Sequence, residues 1–231
     1  MTDRWKRLAP LSGVVMVGLI VALLNVTANT PSTDTSGAKV LSYYSSHVGR
    51  QHAGIVLAAY AALFALVYFI SVARYLRSRG ADVLATTTVA GALLFAAGLT
   101  LAAGTSAILS DHVTSLSPAS AQTLNLVQSN LWWPTMMVGL ALATLGMGVS
   151  MLRTKAVPKA LGIITVVVGV VAISGIGSWF AFLATGPLTL VIAGFVYQRL
   201  GRPESITLPD VPEQRATAEV TTQSAPEAAK R

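Results

Sequence analysis

The sequence predicts an all-α fold: a polytopic transmembrane bundle of six helices with both termini in the cytoplasm. Three observations carry this. The 231 residues are 53% hydrophobic and only 11% charged, with a mean hydropathy of +0.64, which is too little polar surface for a globule in water. Six apolar runs each approach the ~20 residues that a helix needs to cross ~30 Å of hydrocarbon. Basic residues fall beside alternate gaps between those runs, as the positive-inside rule requires of a multi-pass chain.

The runs are 8–28, 53–73, 83–109, 131–152, 157–176 and 179–197, together forming a transmembrane domain over 1–200. The first follows "RWKR" and ends in the small-residue triplet "VTA". A cleaved signal peptide with the same features would leave five helices, but the apolar core outruns the usual 7 to 15 residues and the charge alternation works best with the first helix retained. Next comes the turn-rich "NTPSTDTSGAK". In "KVLSYYSSHV", Leu41, Tyr44 and Val48 recur at helical spacing, which predicts a short amphipathic helix in the outer interface. Between the third and fourth runs, Ser117 as N-cap with Pro118 in the first helical position starts the fourth helix well before it reaches lipid, and Pro134 kinks it. The apolar stretch 156–196 is twice what one helix uses and must turn back on itself. "SGIGSW" is the place, because Gly175 and Gly177 free the backbone there; Pro187 then falls inside the sixth helix. Four prolines and scattered charges predict a disordered cytoplasmic tail over 201–231.

Arg4, Lys6, Arg7, Arg74, Arg77, Arg79, Arg153, Lys155, Lys159, Arg199 and Arg202 all fall on one side of this six-crossing scheme, against Lys39 and Arg50 on the other. The basic side is cytoplasmic. The aromatic rings agree, with Trp5 at the inner boundary and Tyr43, Tyr44, Trp132, Trp133 and Trp179 as anchors at the outer one.

Chemistry-bearing residues are few. Without cysteine there are no disulfides, thiolate metal sites or thiol nucleophiles, and no ionisable residue lies deep in an apolar run, where one would mark a proton or ion pathway. The polar residues inside the runs, Asn25, Thr100, Thr105, Ser106, Thr144, Thr165, Ser174, Thr185 and Thr189, are expected to bond the preceding turn of their own helix or a neighbour. His47, His52 and His112, with Asp111, gather on the outer side as weak candidates for a metal or proton-sensing site. His47 and His52 are five apart, about 140° around a helix, and no histidine is deep enough for bis-imidazole haem ligation. The expectation is therefore no metal, no cofactor and no catalytic residue.

Gly98 with Ala102, Gly139 with Ala143, and Gly146 with Ser150 form small-xxx-small ridges that let helices approach closely, within the chain or between subunits. The order "TPSTDTSGAKVLSYYSSHVGRQHAG", a Gly/Ala-rich helix, "SAQTLNLVQSNLWWP", "LRTKAVPKALG" and a last helix ending "YQR" resembles actinobacterial multi-pass proteins near the DUF4386 family of unknown function. That resemblance implies a six-helix protein of the plasma membrane and assigns no site residue. A net charge of +7 beside apolar runs belongs to the membrane surface, not to nucleic acid. The partners expected are the lipid bilayer and other membrane proteins or a second copy of the chain. The function read from these features is that of a non-catalytic scaffold or accessory component of a membrane assembly. The alternative is a small permease or lipid-handling protein whose uncharged cavity is lined by Ser, Thr, Gly and Tyr60.

Overall fold

The computed structural model of the chain describes residues 3–175 and 177–200; the expected tail, 201–231, lies outside them. Among the described residues there are helices and turns and no strand. They comprise α1 (Asp3–Leu8), which continues through a 3-10 turn (Ala9–Leu11) into α2 (Ser12–Thr27), then α3 (Gly37–Ser46), α4 (Val48–Arg77), α5 (Asp82–Asp111) and α6 (Pro118–Val127). A π-helical turn (Gln128–Trp132) joins α6 to α7 (Trp133–Thr154), and α8 (Lys159–Ile173) and α9 (Ser178–Leu200) complete the bundle. Among the described residues five stretches are long and apolar enough to cross a membrane: Ala9–Thr27, Val48–Arg77, Asp82–Asp111, Pro118–Thr154 and Ser178–Leu200. α8 is apolar but has only 15 residues, about 22 Å of helix.

The centre of the bundle is α5 against α7, and glycine decides how close they come. Gly91 lies against Ala143, Gly98 against Met136, Gly139 against Phe95 and Gly146 against Thr88. Residue numbers fall along one helix as they rise along the other, so the pair is antiparallel. A Cβ on Gly139 would stand 2.2 Å from the Phe95 nitrogen, so this ridge is used within the chain. α8 runs antiparallel to α7 in the same manner, with Gly148 against Val166 and Gly169 against Leu145. Around these faces Tyr68, Phe69, Leu76, Phe95, Leu140, Met147 and Ile192 fill the core.

Two contacts fix the ends. The Tyr75 hydroxyl donates to the Ala156 carbonyl at 3.1 Å, and the Arg7 guanidinium sits over the Tyr197 ring at 4.8 Å. Together with the antiparallel packing they bring the α4–α5 turn, the α7–α8 turn, the start of α1 and the finish of α9 to one end, with Arg74, Arg77, Arg79, Arg153, Lys155, Lys159 and Arg199. Gly80, at φ +92°, and Gly175, at φ +70°, take the left-handed conformation where α4 and α8 stop, which side chains with a Cβ resist.

The opposite end is capped by α3 and α6. Val40 and Tyr44 from α3, Leu109 from α5 and Ala121 from α6 form a second small core, and a Cβ on Gly37 would lie 1.7 Å from the Pro118 carbonyl oxygen. The Ser117 hydroxyl accepts from the Ser120 N–H at 3.1 Å and starts α6. α3 therefore packs on protein instead of lying flat in an interface, and this corrects one expectation: Tyr44, expected as an interface ring, is an interior residue. Its hydroxyl reaches Gln128 at the α6–α7 junction. The π-turn there has a local cause. Pro134 has no N–H to offer the carbonyl four residues back, and its ring presses on that carbonyl; widening the preceding turn by one residue relieves both.

Candidate functional site

Beneath the α3–α6 cap is a cavity of about 380 Å³, within the size range of small-molecule sites. Its apolar walls come from Ile20, Leu23 and Leu24 of α2, Ile55 and Ala58 of α4, Leu99, Ala102 and Ala103 of α5 and Met136 of α7. Ala102, expected on a packing ridge with Gly98, is part of this lining. Trp133 and Trp179, with ring centres 4.3 Å apart, and Phe182 close one side.

The polar part of the lining is a set of uncharged groups facing the cap. Tyr44 donates to Gln128 Oε1 at 3.2 Å, and Gln128 Nε2 donates to Ser106 Oγ at 2.9 Å. Three side chains from α3, the π-turn and α5 are thus linked in a chain of hydrogen bonds. Burial raises the Tyr44 phenol above its ordinary value of 10.0, outweighing the opposing bonds from Ser106 and Gln128, and the group is neutral at physiological pH. Gln51 Nε2 donates to the Tyr43 hydroxyl at 3.3 Å, and Asn125 Nδ2 to the Ser32 carbonyl at 2.9 Å. Tyr44 and Gln51 are each 1% exposed and Asn125 3%. Among the described residues, neither the Gln51 nor the Asn125 amide oxygen has a protein partner. Thr27, Thr30 and Ser129 complete the polar lining, which contains no Asp, Glu, Lys, Arg or His. The amide nitrogens of Gln51 and Asn125 are thus bonded within the protein, and their amide oxygens are open to accept from a guest.

The histidines do not converge. His52 Nε2 lies 2.7 Å from Asp111 Oδ1, tying α4 to α5 on an exposed surface. His47 stacks on Tyr43 at 4.5 Å, with Nδ1 2.9 Å from the Tyr43 carbonyl, and His112 ends α5. Asp111, which adjoins His112 in sequence, pairs with His52 instead, and among the described residues no three His, Asp or Glu side chains are placed to hold a metal. Arg50 bonds the Asn25 carbonyl at 3.0 Å and the Val26 carbonyl, capping the C-terminus of α2, where a cation also opposes the helix dipole.

The remaining singled-out residues fall elsewhere. Gly98, Gly139, Ala143 and Gly146 lie in the α5–α7 contact, and Ser150, also buried, donates to the Gly146 carbonyl at 2.6 Å. Trp5 is exposed on α1 and Trp179 half-exposed at the start of α9; the Trp132 side chain is outside those described. Tyr60 points away from the cavity on the outer surface of α4, which corrects its assignment to a cavity wall. Thr144, Thr165 and Thr185 donate to the carbonyls of Leu140, Leu161 and Ala181, four residues back.

The three lining amides, Gln51, Asn125 and Gln128, like Thr27, Thr30 and Ser129, are not among the residues the sequence singles out. Of the amides, the last two carry a signal, since Asn125, Gln128 and Ser129 have the spacing of one helical face. Comparison with known proteins finds no family model, no curated protein and no solved structure that matches this chain.

Proposed function

We propose that this chain is a six-crossing protein of the plasma membrane that binds a small uncharged amphipathic molecule in the cavity beneath α3 and α6. The lining is the observation that carries this reading: bonding amides and hydroxyls at one end, aromatic and aliphatic walls elsewhere, and no group that is charged at physiological pH. A charged guest would be buried without a counter-charge, at a cost of several kcal/mol. A neutral guest with hydroxyl or carbonyl groups meets partners that otherwise go unused. The alternative expected from the sequence, a permease or lipid-handling protein, is thus preferred to a bare scaffold, which has no use for amide oxygens left open toward a cavity. Binding, not acid–base catalysis, is what such a lining supports.

The positive-inside rule supports a cytoplasmic position for the basic end of the bundle and an outer one for the capped end. α8 completes the sixth crossing with help from its flanking residues and a locally thinned bilayer. The likeness to DUF4386-type proteins agrees with this arrangement on motif order alone.

The test is native mass spectrometry of the protein released from its membrane in mild detergent. Wild type is expected to retain an uncharged amphiphile that the Gln51→Leu, Gln128→Leu double variant loses while keeping its monodisperse profile. Retention of an anionic lipid in the cavity by both proteins would refute the proposal.

A further inference from the structure

A second, narrower void of about 70 Å³ adjoins the cavity. It shares Ile20, Leu24 and Phe182 with it and continues along Met16, Val17, Phe69, Leu183 and Gly186. Its one polar lining residue, Thr185, donates its hydroxyl to the Ala181 carbonyl at 2.8 Å, so the surface it offers is dry. From Thr27 at the mouth of the cavity to Met16 is eleven residues of α2, about 16 Å, or roughly half of the hydrocarbon thickness. The crevice also opens sideways between α2 and α9, where the lining residues Val21 and Leu183 are 53% and 58% exposed.

Resting on the reading of the cavity given above, we infer that this crevice holds the chain of the same guest, and that the guest is a single-chain lipid with an uncharged, hydroxyl-bearing headgroup taken up sideways from the bilayer. The shared wall of Ile20, Leu24 and Phe182 sets a polar chamber beside an apolar slot in the order of head and tail. The slot's narrowness suits one chain. The headgroup follows from the acceptors: the Gln51 and Asn125 amide oxygens need donors, and a hydroxyl is a neutral donor. Because the slot runs along the helices from the capped end toward the middle, the bound lipid keeps the direction of its neighbours in that leaflet. It moves sideways between α2 and α9 without turning over. This sideways path is favourable for a molecule dissolved in the membrane, whereas the α3–α6 cap covers the route from water.

Gly186 gives a way to close the slot. A Cβ there meets only Val17 Cγ1, at 3.7 Å, so a larger side chain has space to grow into the crevice without disturbing the helices. The experiment measures binding of monoolein and of its short-chain analogue monobutyrin to the full-length protein in nanodiscs. Wild type should bind both, and Gly186→Leu should weaken monoolein at least tenfold while leaving monobutyrin unchanged. Unchanged monoolein binding, or equal loss of both in a folded variant, would overturn the inference. A second arm uses wild type alone, with a monoacylglycerol carrying a diazirine at the far end of its chain. Crosslinks should map to Met16, Val17, Leu183 and Gly186. Crosslinks confined to the outward faces of α7 and α8, around Val138 and Val167, would place the chain elsewhere and overturn it. In either failure, monobutyrin bound to wild type would leave the cavity reading standing; binding of neither probe would end both.

Discussion

Replacing Gly139 by alanine tests whether close approach of α5 and α7 holds the bundle together. The new Cβ would lie 2.2 Å from the Phe95 nitrogen, 2.7 Å from the Leu94 carbonyl carbon and 2.8 Å from the Gly91 oxygen. Ordinary carbon contacts are ~3.5–4 Å. Every neighbour is backbone, so no side chain can swing aside and the helices must part by more than ~1 Å. Overpacking of this kind costs about 1–3 kcal/mol, against a helix-propensity gain of about 1 kcal/mol for losing glycine. A chain of this size shifts by roughly 2–4 °C per kcal/mol, so Gly139→Ala should melt several degrees below wild type. Gly104→Ala is the control: nothing lies within 4 Å of a Cβ there, and the propensity gain should stand alone. Thermal unfolding in detergent, followed by intrinsic fluorescence at two protein concentrations, reads both. The loss should be independent of concentration, because the contact lies within one chain. Equal melting points for the two variants would refute the packing argument.

Reporter fusions after Arg79 and Lys155 should give a cytoplasmic signal and fusions after Ser36 and Ala119 an outside one; an outside signal at Lys155 would remove the sixth crossing. Asp111→Asn should lower stability by less than about 1 kcal/mol, because the His52 pair it breaks is half exposed. A larger loss in a melting curve would show that this pair organises the site. Tyr68→Phe should raise stability by about 1 kcal/mol, since its hydroxyl is buried with no bond of acceptable geometry even though Thr189 is close. A drop in melting temperature would mean that the Thr189 contact is a working bond.

The bundle was easier to read from the sequence than the cavity, for physical reasons. Chain-local signals survive in sequence: Gly175 is needed where α8 turns back, Ser117 and Pro118 start α6 as their chemistry demands, and the Gly139 and Gly146 spacing marks a face before its partner is known. The α3 helix was legible too, but not what it rests on. Seen alone, Tyr44 beside Tyr43 has the look of a boundary aromatic; only α6, more than seventy residues later, makes it interior. Gln51 sits next to His52 at the edge of an apolar run and passes for a surface residue until Tyr43 folds over it. Asn125, Gln128 and Ser129 share one helical face by their spacing, but that this face borders a cavity depends on α3 and α5 packing beside it, which no local pattern announces. The His52–Asp111 pair bridges 59 residues, a distance at which no spacing rule operates.

The central claim is that the cavity selects an uncharged guest. The most direct measurement compares monoolein with oleate, at a pH where the carboxylate is ionised, by quenching of Trp133 and Trp179 in the same nanodiscs. Both carry the same chain and differ in the charge of the head. A charge buried without a partner costs several kcal/mol, and about 1.4 kcal/mol is a factor of ten. The account therefore predicts that monoolein binds roughly a hundredfold more tightly, and that Gln128→Leu erases most of the difference by weakening monoolein. Equal affinities, or tighter binding of oleate, would contradict it.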